Sequence, residues 1–410
     1  MALFNVLDVE QAKLILKRHL TDYERESEFV DLLAAYNRVL AEDIVSAEDV
    51  PGFSRSTVDG FAVKASDTFG ASETLPAILT LAGEVKMGKR TEVVVEHGKA
   101  VKIPTGGMLP KGSDSVAMLE YTQLLGDNTL CIERPVAPKD NVVSKGDDIK
   151  KGSILLKRGH TIRPQDLGAI AGIGRSSVRV VKPPVVSVIS TGDEIKDPAE
   201  EISPGEIRDT NTYALCGLVH KWGADAKPIG IIKDDFTELQ AAVKTALNTS
   251  DIVLLSGGSS VGTKDHTLSV IESLGKPGVL AHGLAVKPGK PTVIGVVDSK
   301  PVIVLPGHPV SAMIIFELLV RPLISLFLGR PEDFGGTKIL ARISRNISSA
   351  AGRQDFIRVK LEKRNEELWA IPVLGKSGLL STMVDSDGLA HIPSERQGFA
   401  KGDKVVVELF

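Results

Sequence analysis

The chain has 410 residues, 42% of them hydrophobic and 25% charged, which is more than one hydrophobic core usually organises, so several folded domains are expected and disorder is not. A formal net charge of −3 gives no electrostatic footprint for nucleic acid or an anionic membrane, which points to a small-molecule ligand. Two cysteines, Cys131 and Cys216, are too few and too far apart for a disulfide framework or a zinc cage, and a reducing cytoplasm fits them.

The opening stretch MALFNVLDVEQAKL lacks the basic segment and cleavage site of a secretory signal, so export is not expected. Asp8 reads as the cap of a helix carrying Val9, Ala12, Leu16 and Leu20, and Phe29, Leu33, Tyr36 and Leu40 predict a second helix. From residue 51 to about 140 the texture is short β-rich runs (AILTLAGEV, TEVVVEHG, AVKIP, DSVAMLEY, TLCIERPV) between Gly, Pro and Asp turns. Residues 146–183 hold a β-like ILLKRG and a helix that starts at Pro164 and stops before Gly174.

After Pro183-Pro184 strands and helices alternate: VVSVIS, a helix over 213–222, AKPIGII, a helix capped near Asp234 or Asp235, IVLLS and a helix near 266–274. Strands LAHGLAV, PTVIGVV and PVIVLP follow, then a helix over 311–328. This predicts a central, mostly parallel sheet with helices on both faces. The run SAMIIFELLVRPLISLFL is broken by Glu317, Arg321 and Pro322, so it reads as a buried helix and not a membrane span. Beyond Gly335-Gly336 the runs KILARIS, FIRVKLEK, LWAIPVL and DKVVVELF predict a C-terminal β-barrel or sandwich. The expected fold is therefore α/β plus β and multidomain: an N-terminal part, 1–50, on which 146–183 could pack back, a β domain at 51–145, the α/β domain at 184–330 and a barrel at 335–410.

Four loops follow strands of the α/β part: Thr191-Gly192-Asp193-Glu194, the loop Ser256-Gly257-Gly258 to Gly262, Lys287-Pro288-Gly289-Lys290, and Pro306-Gly307-His308-Pro309. A lone glycine-rich loop is most often only a turn, but in a parallel sheet these strand ends share one edge. The second loop offers unhindered N–H groups and hydroxyls suited to phosphate, without Walker or Rossmann spacing. Glu194, Asp265 and Asp234 place carboxylates beside it, which suits Mg²⁺ between carboxylate and phosphate, although Asp234 reads equally as a helix cap. Lys287 and Lys290 can neutralise an anion. No histidine pair has zinc spacing, and Cys216 lies on the apolar stripe of a helix, where packing and not nucleophilic chemistry is expected.

Together with Ser56-Thr57-Val58-Asp59-Gly60-Phe61-Ala62, Pro104-Thr105-Gly106-Gly107, Gly146-Asp147-Asp148-Ile149, Gly352-Arg353 and Lys376-Ser377-Gly378, these motifs resemble the molybdopterin molybdenumtransferase family over nearly the whole chain. The resemblance implies a cytoplasmic, Mg²⁺-dependent enzyme that takes adenylylated molybdopterin and molybdate, inserts molybdenum and releases AMP. The dithiolene sulfurs then belong to the pterin, which explains the cysteine-poor chain. It implies Asp59, Thr105, Glu194 and Asp265 at the reacting phosphates, with Mg²⁺ on Glu194, Asp265 and Asp59. It implies substrate binding by Asp148, Asp234, Ser256, Gly257, Gly258, Lys287, Lys290, Pro306, His308, Arg353 and Ser377. It further implies a homodimer in which the first two domains of one subunit complete the cleft of the other, with transient contacts to the adenylyltransferase and acceptor molybdoenzymes. His308 stands where the family usually has Asn. Competing readings are a molybdopterin adenylyltransferase, which would not need residues 1–183 or 335–410, a nucleotide pyrophosphatase, and a non-catalytic scaffold on the same fold.

Overall fold

The computed structural model describes residues 6–20, 25–257, 266–331 and 334–410, which cluster into two compact units. The smaller comprises Phe29–Tyr36 and Leu40–Val180, and the larger holds the remaining described residues.

In the smaller unit a six-stranded sheet runs in the order Ser115–Met118, Gly60–Val63, Lys99–Ile103, Ala77–Glu84, Thr129–Ile132, Thr122–Leu125. Alternation along the strands sends Phe61, Val63, Ala117 and Leu130 into one core and Ala62, Val101 and Val116 into another. Gly60 is required by crowding, because a Cβ there would stand 2.0 Å from the Ala117 carbonyl oxygen. A third core joins Ala35, Leu40, Ile44, Ile162, Ile170 and Val178. The helix Pro164–Gly172 begins with proline as expected, and Gly174 follows it at φ 79°. Asp166, 4% exposed, accepts from Arg163 N at 2.9 Å and Nη2 at 3.0 Å and lies 2.6 Å from His160 Nε2.

Three sequence expectations for this region are corrected. The second N-terminal helix is a strand, Ser27–Asp31, and a single 3₁₀ turn, Leu32–Ala35. Its apolar spacing misleads because Phe29, Leu33 and Tyr36 are 68%, 92% and 60% exposed, while Val30 and Leu32 pack on the core. TEVVVEHG forms no strand; Val94 makes only an isolated bridge to Lys111. Two strands not foreseen, Gly60–Val63 and Thr122–Leu125, complete the sheet.

In the larger unit the helix Val9–Arg18 opens with a reciprocal cap: Gln11 N donates to Asp8 Oδ1 at 2.7 Å and Asp8 N donates to Gln11 Oε1 at 3.1 Å. The central sheet has the order Asp225–Ile232, Val185–Thr191, Ile252–Ser256, Lys300–Leu305, Val293–Val297, Pro277–His282. The first four strands are parallel and the last two pair antiparallel, so the sheet is mixed. The break in the alternation has a local cause. Asp298 and Ser299, both at positive φ, form a two-residue hairpin turn from Val297 to Lys300, which leaves no room for a crossover helix. Helices Phe236–Thr249 and Thr267–Leu274 bury Leu239, Val243, Val270 and Ile271 against Val253, Leu255, Val302 and Val304.

The apolar run from 309 to 328 is long and apolar enough to cross a membrane, yet 72% of its most apolar window is buried within the protein. A π-helical turn at Phe316–Val320 interrupts it just before Pro322, which has no N–H for the ladder. Glu317 and Arg321 on it form an ion pair at 3.6 Å, and Arg321 also binds Glu408. Five strands, Lys338–Ile343, Gln354–Arg364, Glu367–Pro372, Gly388–Ile392 and Lys404–Leu409, close into a barrel, because Gln354–Arg364 pairs with Gly388–Ile392 as well as with Glu367–Pro372. Gly388–Ile392 was not expected, but it is the strand that shuts the ring.

At the edge of the central sheet the backbone is packed so closely that side chains are excluded. Gly257 sits at φ 109°, and a Cβ there would stand 2.2 Å from the Thr191 carbonyl oxygen. Gly257→Ala should therefore cost about 2–4 kcal/mol, checked by urea unfolding; a loss below about 0.5 kcal/mol would show that the loop relaxes freely. Asp166→Asn should cost about 1–3 kcal/mol at neutral pH. The Arg163 guanidinium holds the Asp166 carboxyl well below its ordinary range, followed by the His160 and backbone bonds. Its contribution is therefore complete above the unfolded pKa of about 3.9 and is lost as pH falls from there towards the folded value. The gap between wild type and variant should narrow as pH falls below about 4, and a gap at pH 2 as large as that at neutral pH would contradict this.

Candidate functional site

Three groups of the residues singled out in the sequence can be located. The first lies at the carboxyl ends of the parallel strands. Thr191 Oγ1 donates to Asp234 Oδ1 at 2.7 Å, which ties the first strand's end to the loop after Asp225–Ile232. Asp234 is not the helix cap; Asp235 is, accepting from Thr237 N at 2.9 Å and Glu238 N at 3.0 Å. The carboxylates of Asp234 and Glu194 are exposed at this edge, and Asp234 N donates to Asp193 Oδ1 at 3.3 Å. Ser256 is buried and Gly257 N donates to Leu305 O at 3.2 Å, so the loop starts where two strands end. Gly258 and Asp265 lie outside the described residues.

Asn211 was missed by sequence reasoning. Its amide donates to Ser256 Oγ at 2.7 Å and to Gly307 O at 2.8 Å, joining the Ser256-Gly257 and Pro306-Gly307 turns. An Asn at a helix start looks like a cap, and this hides the tertiary role. Beside it the buried Asp209 accepts from Thr212 Oγ1 at 2.6 Å, and Thr212 meets Ser190 at 2.9 Å. Burial, with the Asp209 charge adding, pushes the Cys216 thiol up, which disfavours the nucleophilic thiolate.

The second group is cationic and lines a cavity of about 760 Å³. The two-residue strand Val286–Lys287 pairs in parallel with Gln354–Asp355, which sets Lys287 beside the segment that carries Arg353. Gly289, at φ 119°, packs against Ile315 so closely that a Cβ would stand 2.4 Å from Ile315 Cδ1, and this fixes the turn presenting Lys287 and Lys290. Arg353 Nε donates to the buried Asp355 Oδ1 at 2.9 Å. His308 precedes the helix Pro309–Ile315; its Nδ1 shares a 2.9 Å hydrogen bond with Ser377 Oγ, and Val310 N donates to Ser377 O at 3.2 Å. Lys287, Lys290, Pro306, His308, Arg353 and Ser377 thus line one cavity, with Lys376, singled out only as part of its motif, and Arg358, not foreseen, beside them.

The third group is in the smaller unit. Asp59 Oδ1 accepts from Thr105 N at 2.8 Å, and the two loops are stitched further by Gly106 N to Ser56 O at 2.8 Å and Ser56 N to Gly107 O at 3.0 Å. Asp59 and Thr105 are both exposed. Asp148 belongs to a separate turn, held by its N–H on the Val50 carbonyl at 3.1 Å.

An exposed carboxylate such as Glu194 is an oxygen ligand of the kind that hard divalent cations take. Among the described residues no group of three or more His, Cys, Asp or Glu is assembled to hold a metal ion, and Asp265 is outside them.

Residues 7–174 match the MoeA N-terminal region (domains I and II), 187–325 a probable molybdopterin-binding domain, and 341–410 the MoeA C-terminal region (domain IV). A putative molybdopterin biosynthesis protein of Methanocaldococcus jannaschii is 38% identical over 416 residues, covering 99% of this chain and 98% of that protein. The molybdopterin molybdenumtransferase of Haemophilus influenzae is 32% identical over 407 residues, covering 99% of each. Among solved structures, two of the molybdopterin biosynthesis MoeA protein from Pyrococcus horikoshii superpose with TM-scores of 0.84 and 0.87, at 38% and 33% identity, each covering 99% of this chain and 99% and 100% of its own. The chain therefore belongs to the molybdopterin molybdenumtransferase family, the MoeA-type enzymes of molybdenum cofactor biosynthesis.

Proposed function

We propose that this enzyme inserts molybdate into adenylylated molybdopterin with release of AMP, in a Mg²⁺-dependent reaction. The observation that carries the reading is the cationic cavity, where Lys287, Lys290 and Arg353 face a space bounded by Ser377 and His308. Cations, a hydroxyl and an imidazole are the groups that hold a tetrahedral dianion without binding its metal. Lys287, Lys290, Arg353 and Ser377 would gather molybdate and the pterin phosphate, with Pro306 shaping the wall and His308 adding a donor in place of the amide usual in the family.

At the strand ends, Ser256, Gly257 and Gly258 would cradle the nucleotide phosphates, with Asp234 and Asp148 as further substrate contacts. Glu194, Asp265 and Asp59 are the residues that would hold Mg²⁺, whose chemistry when bound is to neutralise charge on the phosphate oxygens. Thr105, whose N–H fixes the Asp59 carboxylate, would orient the reacting phosphate from the same side as Asp59. With Cys131 buried and the Cys216 thiol pushed up by burial, the sulfur ligands would be those of the pterin. We place the enzyme in the cytoplasm as a homodimer, receiving its substrate from an adenylyltransferase and passing product to acceptor molybdoenzymes, and we assign its domains as 1–50 with 146–183, 51–145, 184–330 and 335–410.

One assay tests the reaction: adenylylated molybdopterin and Mg²⁺, with and without molybdate, following AMP and recovery of active cofactor. AMP release and active cofactor should both depend on molybdate. Turnover indifferent to molybdate, with no active cofactor formed, would favour a pyrophosphatase. Asp59→Ala and Glu194→Ala should each lower AMP release about 10²–10³-fold while the protein stays folded; unchanged rates would remove those residues from the chemistry.

A further inference from the structure

The cationic cavity contains a charge that no carboxylate among the described residues balances. Arg358 lies on the barrel strand Gln354–Arg364, lines the cavity and is only 8% exposed. Its Nη1 donates to Thr382 Oγ1 at 2.9 Å and its Nη2 to Gly375 O at 2.8 Å, both neutral acceptors. Among the described residues no carboxylate pairs with it, and burial alone acts on the guanidinium, pushing its pKa down. Asp355, the carboxylate lining the same cavity, is engaged by Arg353.

A buried guanidinium without a counter-charge is unfavourable, and such groups persist where an anion arrives to complete them. Arg330 illustrates the other use of a buried guanidinium: it donates to the Trp222 and Asn37 carbonyls, covers the Phe334 ring and lines no part of this cavity. Arg358 differs because one of the two groups it holds, Gly375, leads directly into the site. Gly375 directly precedes the Lys376–Leu379 turn, which presents Lys376 and Ser377, and Ser377 is the partner of His308.

We propose that Arg358 is a positioning residue for the bound oxyanion: its unmatched charge draws the dianion into the cavity, and its hold on Gly375 sets the turn that brings Ser377 to the anion. The inference rests on the proposed oxyanion site and extends it by a residue that neither sequence motif nor family resemblance singled out. A fork-shaped donor is needed to reach Thr382 and Gly375 together, so lysine should replace it only in part.

The test is a calorimetric titration of the full chain with molybdate alone, without pterin, comparing wild type, Arg358→Gln and Arg358→Lys, with thermal melting of each in the presence and absence of molybdate. Arg358→Gln should bind about tenfold or more weakly and lose the molybdate-induced rise in melting temperature, with Arg358→Lys intermediate. A purely structural role would instead lower the melting temperature of the unliganded protein and leave the affinity of the folded fraction intact, which overturns the proposal. Should Arg358→Gln fail to fold, Arg358→Lys decides: weakened binding supports the proposal, and wild-type affinity overturns it. A wild-type protein that binds no molybdate would remove the oxyanion site itself and the proposal with it, a failure visible without any variant.

Discussion

Much of the larger unit follows from one close approach, that of the Gly257 backbone to the Thr191 carbonyl at the end of two adjacent parallel strands. With no room for a side chain there, the edge of the sheet is built from backbone N–H groups, short hydroxyls and turns. Asn211 then spans from Ser256 to Gly307 and locks a third strand end into the same layer. Exposed carboxylates at Asp193, Glu194 and Asp234 surround this floor, with Asp234 anchored by Thr191. A polar surface of this kind suits a phosphate ester far better than an apolar ligand.

The cations are kept apart from that edge. They sit where short strand Val286–Lys287 joins the barrel, so the α/β portion and the barrel share one sheet contact and one cavity wall. The pairing explains why the barrel matters to a site that the strand-end loops alone cannot complete. Asp355 holds Arg353 in place, whereas Arg358 has only neutral acceptors among the described residues.

The sequence made the strands and helices of the α/β portion legible because strong periodicity coincides with real burial. Val185–Thr191 and Ile252–Ser256 are almost wholly buried, and the helix Phe236–Thr249 between them carries a clean cap at Asp235. Where periodicity was not matched by burial, as at Phe29, Leu33 and Tyr36, the helix expected there is a strand and a turn. The antiparallel edge was hidden because Asp298-Ser299 is a hairpin turn without the usual glycine. The motif residues at the cavity were visible as types, Lys287 and Lys290 around a Pro-Gly turn and His308 between prolines. Topology placed those loops at one edge, but their meeting with Arg353 and Ser377 came only through the family resemblance, because it depends on the Val286–Lys287 pairing and on a residue distant in sequence. Asn211 and Arg358 carried no local signal: one resembles a cap, the other a strand residue on a charged run, and only tertiary packing gives them their partners.

The central claim is that the cavity formed by Lys287, Lys290, Arg353 and Ser377 is where molybdate binds. Anomalous diffraction at the molybdenum absorption edge, from crystals grown with molybdate, locates the metal directly. The expected result is one dominant peak within contact distance of those four side chains, and a dominant peak elsewhere, or none at saturating molybdate, would contradict it.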